Sequence, residues 1–259
     1  KLSGYPTFVR NGRVVFRNQE AGTSYEFASK YYGLNEDWSE WSSVTAIPAM
    51  SLIYPGGQIG LDSDPELLAI ARETMAQQAR WQDENMTCFF YAAAARVGHD
   101  PNEILEKMTE LIRTRGHPNM TFDLQGGGIE NMNTVPAALV EMLCQSFQGR
   151  LRLFACWPDG LDAKFGNFMA YGHFLVSGEK RNGAVTYARI VSKNGGELRL
   201  VNTWGGRAAR IYRDGADAGT AEGEELVFST AAGETLLLVP DGVSYEEAAG
   251  NLLRPLNPT

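Results

Sequence analysis

Glu130 follows a run of three glycines in Gly126-Gly127-Gly128-Ile129-Glu130-Asn131, and an amphipathic stretch containing Glu141-Met142-Leu143-Cys144-Gln145-Ser146 comes after it. A carboxylate in that setting suits proton abstraction from water or contact with a ligand. Glycines let the backbone approach a bulky molecule closely. A loop anchored by a rigid helix is a common mount for reacting groups. The N-terminus of the following helix adds partial positive charge nearby, which favours an ionised carboxylate. The same residues also read as a glycine-rich connection with one surface Glu.

Other chemistries find less support. The three histidines, His99, His117 and His173, sit in separate contexts without the spacing of zinc ligands. No metal and no cofactor is expected. The glycine run lacks the Lys-Ser/Thr of a phosphate loop, and no nucleophile elbow is present. Carboxylates remain, and glycoside hydrolysis uses two of them, one as acid and one as base or nucleophile. Glu130 is the leading catalytic candidate. Trp81-Gln82-Asp83-Glu84-Asn85 offers a stacking ring with groups able to bind hydroxyls, so Trp81, Asp83 and Asn85 are candidate substrate contacts. That cluster equally fits a helix cap with a core Trp. Asp123, Gln125 and Asn131 flank or share the glycine loop, and His117 joins them as a candidate contact. His117-Pro118-Asn119 also fits an ordinary turn, and Glu141 a capping or core-pairing residue.

These groups must be positioned by the elements around them. Phe8-Val9-Arg10, Asn11-Gly12 and Arg13-Val14-Val15-Phe16 predict a hairpin, because Asn-Gly suits the turn that matches strand twist. Residues 20–60 are rich in Tyr, Trp, Ser and Gly, including Tyr31, Tyr32, Trp38 and Trp41, and predict long aromatic loops. Asp64-Pro65 starts a helix with Leu67, Ile70, Ala71 and Met75 on one face. A second, apolar all round and therefore buried, runs from about Asn85 to Val97 and ends at Gly98. Asp100-Pro101-Asn102-Glu103 is a capping-box start for a third, with Ile104, Leu105, Met108, Leu111 and Ile112 inward. A fourth is predicted from Thr134 to Gln148, ending at Gly149. Beyond it the hydrophobic period falls from 3.6 to 2, through Leu151–Phe154, Val185–Val191, Leu198–Val201, Glu225–Phe228 and Thr235–Val239. Asn182-Gly183 and Asn194-Gly195-Gly196 mark hairpin turns. The pattern divides the chain into a helical part, 1–148, and an antiparallel β-sandwich, 149–259.

Composition narrows the function classes. Of 259 residues, 44% are hydrophobic and 21% charged, which describes an ordinary globular chain. A net charge of -8 without basic runs argues against nucleic acid as partner. No apolar stretch approaches the length of a membrane span, so no membrane insertion is expected. Cys88, Cys144 and Cys156 are an odd set best explained as buried thiols, the first two in helices. The chain begins at Lys1 without an initiator Met or a signal-like segment, which suggests a removed leader or a piece of something longer.

Several segments resemble family 95 glycoside hydrolases: Tyr54-Pro55-Gly56-Gly57-Gln58-Ile59-Gly60-Leu61, the Glu141–Ser146 helix, and Arg152-Leu153-Phe154-Ala155-Cys156-Trp157-Pro158. Asp162-Ala163-Lys164-Phe165, Gly172-His173-Phe174-Leu175-Val176-Ser177 and Leu200-Val201-Asn202-Thr203-Trp204 continue the series in order. The resemblance implies an inverting α-L-fucosidase or α-L-galactosidase and an oligosaccharide or glycan partner. It implies the C-terminal part of an (α/α)6 barrel of helical hairpins, then an antiparallel β-sandwich. It also implies a base on water just ahead of the Glu141–Ser146 helix, a position that Glu130 takes by spacing. Here Glu replaces the family's Asp and the loop is longer. If Phe122-Asp123-Leu124-Gln125-Gly126 is the match instead, the base position holds Gln125, which cannot accept a proton. The family's general acid and assisting asparagines lie upstream of anything in this chain. At ordinary helix lengths a barrel of about twelve helices needs a longer chain, so an upstream part of the same enzyme is an expected partner. Export to the periplasm or cell exterior is implied by the resemblance alone. Two other readings stay open: a non-catalytic carbohydrate-binding or accessory module, and an inactive fragment.

Overall fold

The computed structural model describes residues 5, 7–16, 48–82, 87–123 and 129–256, except the side chains of Pro48, Ala49, Thr87, Cys88, Ile129 and Glu130. The predicted aromatic loops with Tyr31, Tyr32, Trp38 and Trp41 lie outside the described residues. The structure mixes helices with antiparallel sheet. It divides into two compact units, Lys1–Glu141 and Met142–Thr259.

In the first unit, strands β1 (Thr7–Arg10) and β2 (Arg13–Phe16) form the hairpin, with Asn11 and Gly12 at φ of 50° and 74° in its turn. A short helical turn, Pro48–Ser51, is followed by helices α1 (Pro65–Gln78), α2 (Thr87–Arg96) and α3 (Pro101–Arg115). Asp64 caps α1 by accepting from the amides of Glu66 and Leu67. Thr74 on α1 accepts from the Phe16 amide at 2.9 Å and so fastens the hairpin to the helix. Phe90 and the run Tyr91 to Ala95 on α2 are wholly buried, as an all-apolar helix requires.

Two details of α3 differ from the sequence pattern. Asp100 accepts from the Asn102 amide, but Glu103 turns away from a reciprocal cap and pairs with His99 at 2.8 Å. A charge-assisted pair one turn apart competes with the cap for the same carboxylate. Ile112, predicted inward, is 47% exposed, because Ile104, Met108 and Leu111 already fill the face that meets the core.

A 3-10 turn, Ile129–Asn133, leads into α4 (Thr134–Leu143). The predicted helix to Gln148 stops at Leu143. Cys144–Gln145 leaves helical geometry as strand β3 and pairs with β4 (Arg152–Leu153), placing Cys144 in a strand. Gln148 and Gly149, at φ of 57° and 71°, turn the chain back between them. Ladder pairing satisfies the same backbone groups as another helical turn while burying Leu151, Leu153 and Phe154.

The second unit is built on a six-stranded antiparallel sheet in the order β10-β9-β12-β7-β6-β5. Its strands are β5 (Ala163–Ala170), β6 (Phe174–Arg181), β7 (Ala184–Ser192), β9 (Ala209–Arg213), β10 (Ala216–Ala221) and β12 (Thr235–Pro240). Strands β8 (Gly196–Val201) and β11 (Glu225–Thr230) pair separately. Alternation assigns the two faces. Val176, Ala188, Ile190, Ile211, Leu236 and Leu238 share a core with Leu198, Leu200, Leu226 and Phe228 of the β8–β11 pair. On the opposite face Tyr187, Tyr212, Leu237 and Val239 pack on Ala248 of helix α5 (Tyr245–Leu253). The β5–β6 turn needs a glycine: Gly172 has φ of 82°, and a Cβ there would meet the Phe174 ring at 2.6 Å.

Charges tie α5 down. Lys164 Nζ donates to the carbonyls of Asn251 at 2.8 Å and Leu252 at 3.0 Å, and also to that of Arg254, capping the negative end of the helix. Beside it the fully buried Glu179 accepts from Thr186 Oγ1 at 2.7 Å and lies 2.9 Å from Arg181 and 3.8 Å from Lys164. Glu179 Oε1 and Arg181 Nε are close yet off the hydrogen-bond direction, so that contact is chiefly Coulombic. Glu179→Ala is expected to cost roughly 3 kcal/mol, the low end for breaking a buried pair, since Lys164 and Arg181 retain some contact with water. Hydrogen exchange should quicken across Tyr245–Leu253; unchanged protection there would show that the carboxylate does not secure the helix.

Candidate functional site

One charge interrupts the apolar α2, and it is the helix's last residue. Arg96 is 5% exposed, and its Nη2 lies 2.7 Å from Oε1 of Glu141 on α4. Nη1 donates to the Ile53 carbonyl at 2.9 Å and to that of Pro55 at 3.4 Å. The guanidinium also sits 4.7 Å from the Tyr54 ring centroid. The 53–57 loop folds back on the turn before it, with Gly56 N–H donating to Ser51 O and Gly57 N–H to Ile53 O. Its inward carbonyls therefore face the interior, and a planar fork with five donors can serve several of them together with a carboxylate.

Asn131 and Thr134 extend this polar line. Thr134 opens α4, and Glu141 stands two turns further along the same face. Asn131, in the 3-10 turn that packs against α2, is 1% exposed, and Thr134 is fully buried. Among the described residues no hydrogen-bond partner meets Asn131 Nδ2 or Oδ1, Thr134 Oγ1, or Glu141 Oε2. Leaving one such atom unpaired costs about 1–3 kcal/mol. Buried polar groups in native proteins nearly always have a partner in protein, water or ligand. An amide offering both donor and acceptor suits a hydroxyl or a water, each of which can accept and donate.

Of the sequence-derived candidates, this polar line contains Asn131. Glu130 occupies the 3-10 turn, immediately before Asn131 in the chain. Its side chain, and all of Asp83, Asn85 and Gln125, lie outside the described residues. Trp81 is 8% exposed, with ring centroids of Phe90, Tyr91 and His99 at 4.7, 5.1 and 5.4 Å. Its carbonyl accepts from the Tyr91 hydroxyl at 2.8 Å. Burial, with a smaller contribution from the charge of Glu110, pushes that phenol above its usual range. This ring sits in an aromatic cluster, the core-Trp alternative of the sequence pattern.

His117 and Asp123 are both exposed, in a loop closed by a bridge between Gly116 and Phe122. His117 N–H donates to Thr121 O at 2.8 Å, and Asp123 N–H to Arg115 O at 2.7 Å. Asn119 Oδ1 accepts from both the amide and the hydroxyl of Thr121, which is turn chemistry. Sequence reasoning passed over Arg96 and Thr134. The available signal was an Arg within a helix otherwise too apolar to be exposed, and a core-facing Glu141 able to answer it. Among the described residues no three His, Cys, Asp or Glu side chains gather to hold a metal ion.

No protein-family model matches this chain, and no curated protein matches it either. Solved structures give faint likenesses. A GH127 β-L-arabinofuranosidase from Geobacillus stearothermophilus aligns over 86% of this chain and 49% of its own, at 10% identity and a TM-score of 0.32. A GH27 β-L-arabinopyranosidase from the same organism, in complex with arabinose, aligns over 57% of this chain and 32% of its own, at 8% identity and a TM-score of 0.24. The chain thus spans about half of the first and a third of the second. At TM-scores this low neither overlay fixes a shared fold.

Proposed function

We propose that this chain is part of a glycoside hydrolase that releases terminal α-linked sugars of fucose or galactose type with inversion. Glu130 is the base that takes a proton from water as it attacks the anomeric carbon. The carrying observation is the buried amide of Asn131, without a hydrogen-bond partner among the described residues and next to Glu130 in the turn ahead of α4. That amide is suited to hold the attacking water or a sugar hydroxyl. The reaction type comes from the resemblance of successive segments to family 95. In this reading α1 to α4 belong to a barrel of helical hairpins, and a protonated carboxyl group from outside the assigned residues gives its proton to the leaving-group oxygen. Asp83, Asn85, His117, Asp123 and Gln125 remain sugar contacts in this proposal, with Trp81 supporting them from within. The partner is a glycan, and the working location is the periplasm or cell exterior.

The test is the anomeric outcome. On terminal α-L-fucosides and α-L-galactosides incubated with the full-length protein, which carries the acid, proton NMR should show the β-anomer first, with the α-anomer appearing only by mutarotation. First release of the α-anomer, or no release from any substrate, rejects the proposal.

A further inference from the structure

Beside the β6–β7 turn a cleft of about 510 Å³ opens, lined among others by Asp159, Lys180, Ala184, Thr203 and Arg207. Its volume is within the usual range for small-molecule sites, about 300–1,000 Å³. Trp204 also lines it and is fixed in place, its indole N–H donating to the Val185 carbonyl at 2.9 Å.

The donors around the cleft exceed the acceptors they meet. Lys180 is 5% exposed, and its ammonium gives one hydrogen bond, to Asp159 Oδ1 at 2.7 Å. An ammonium has three N–H bonds, so two find no acceptor among the described residues. Arg207 Nε donates to the Trp204 carbonyl at 3.0 Å. Its two Nη groups meet no acceptor among the described residues. Asp159 has its side chain 96% exposed, with Oδ2 open to solvent at the rim. Two cations against one carboxylate leave this cleft net positive in a chain of net charge -8.

We propose that the cleft binds an acidic sugar, a pyranose ring carrying one carboxylate. The ligand carboxylate takes the spare donors of Lys180 and Arg207 as charge-assisted hydrogen bonds. Asp159 Oδ2 and the Thr203 hydroxyl then serve ring hydroxyls. An inorganic anion would satisfy the cations and leave most of the cleft unfilled. A neutral sugar would fill it and leave the excess positive charge unmatched. Every residue involved belongs to the Met142–Thr259 unit, so the inference does not depend on Glu130.

Ligand-observed NMR titrations of the intact chain with galacturonic acid, galactose and inorganic phosphate test it. Galacturonic acid should bind at least tenfold more tightly than galactose. Lys180→Met and Arg207→Gln should each weaken it at least tenfold. Lys180→Met strands no buried charge, because Asp159 faces solvent. Ala184→Trp, at an exposed rim position, should block the cleft without disturbing the core and serves as the second check. Absence of galacturonic acid binding, equal binding of galactose, indifference to all three substitutions, or equally tight binding of phosphate would each overturn the proposal.

Discussion

Arg96→Met is expected to destabilise the Lys1–Glu141 unit by about 3–5 kcal/mol, the cost of stranding a buried charge when its partner is removed. Methionine fills much of the same volume, so little of the loss comes from a cavity. The loss comes from Glu141, 8% exposed, whose Oε1 would lose its 2.7 Å partner while Oε2 already has none among the described residues. The carbonyls of Ile53 and Pro55 would lose donors at the same time. Adding Glu141→Leu should recover most of the loss, since a buried pair is often replaceable by apolar residues even though neither half can be removed alone. Urea unfolding of the single and double variants separates these contributions. A single-variant loss below about 1 kcal/mol, in the range of exposed ion pairs, would show that water reaches this pair.

In the full-length protein Glu130→Gln should lower turnover by about 10²–10⁴-fold, the usual contribution of a positioned general base. The amide keeps the size of the carboxylate and loses the lone pair that takes the proton. Its neighbour Asn131 cannot stand in, because an amide does not ionise at working pH. Folding should be intact, with circular dichroism and the urea midpoint unchanged. Gln125→Glu discriminates between the two candidate base positions. If Gln125 holds the base position, the parent is inactive and Gln125→Glu creates activity. If Glu130 holds it, Gln125→Glu adds nothing. Near-normal turnover in Glu130→Gln with an unchanged fold rejects the assignment.

Several caps and turns could be read directly from the chain, because each depends on a few neighbouring residues. But Asn194-Gly195-Gly196, predicted as a hairpin turn, joins β7 to β8 in a separate sheet, since strand partners are chosen by tertiary packing. Asp64 and Asp100 start helices where their side chains reach the next free amides, and Asn11-Gly12 turns the first hairpin. The change of period after Gly149 announces strands because side-chain alternation is a property of one strand by itself. The period-2 pattern did not reveal β5, β9, β10 or α5. The β10 strand, Ala216–Ala221, is largely exposed and lacks the alternation that marks a half-buried strand. Leu143 ends α4 earlier than the sequence pattern predicts, since what stops it is pairing with Arg152–Leu153, a tertiary event.

The candidate site divides along the same line. By itself the sequence determined that a carboxylate and an amide, Glu130 and Asn131, stand next to each other just ahead of a helix, and that Cys88–Ala95 is apolar enough to be buried. Only the tertiary structure decided that Arg96 meets Glu141, 45 positions away in the chain. It also decided that Trp81 packs among Phe90, Tyr91 and His99, and that Lys180, Asp159 and Arg207 line one cleft. Propensity and capping act over a few residues. Burial and Coulomb energy depend on separation in space and on access of water, which sequence spacing does not encode.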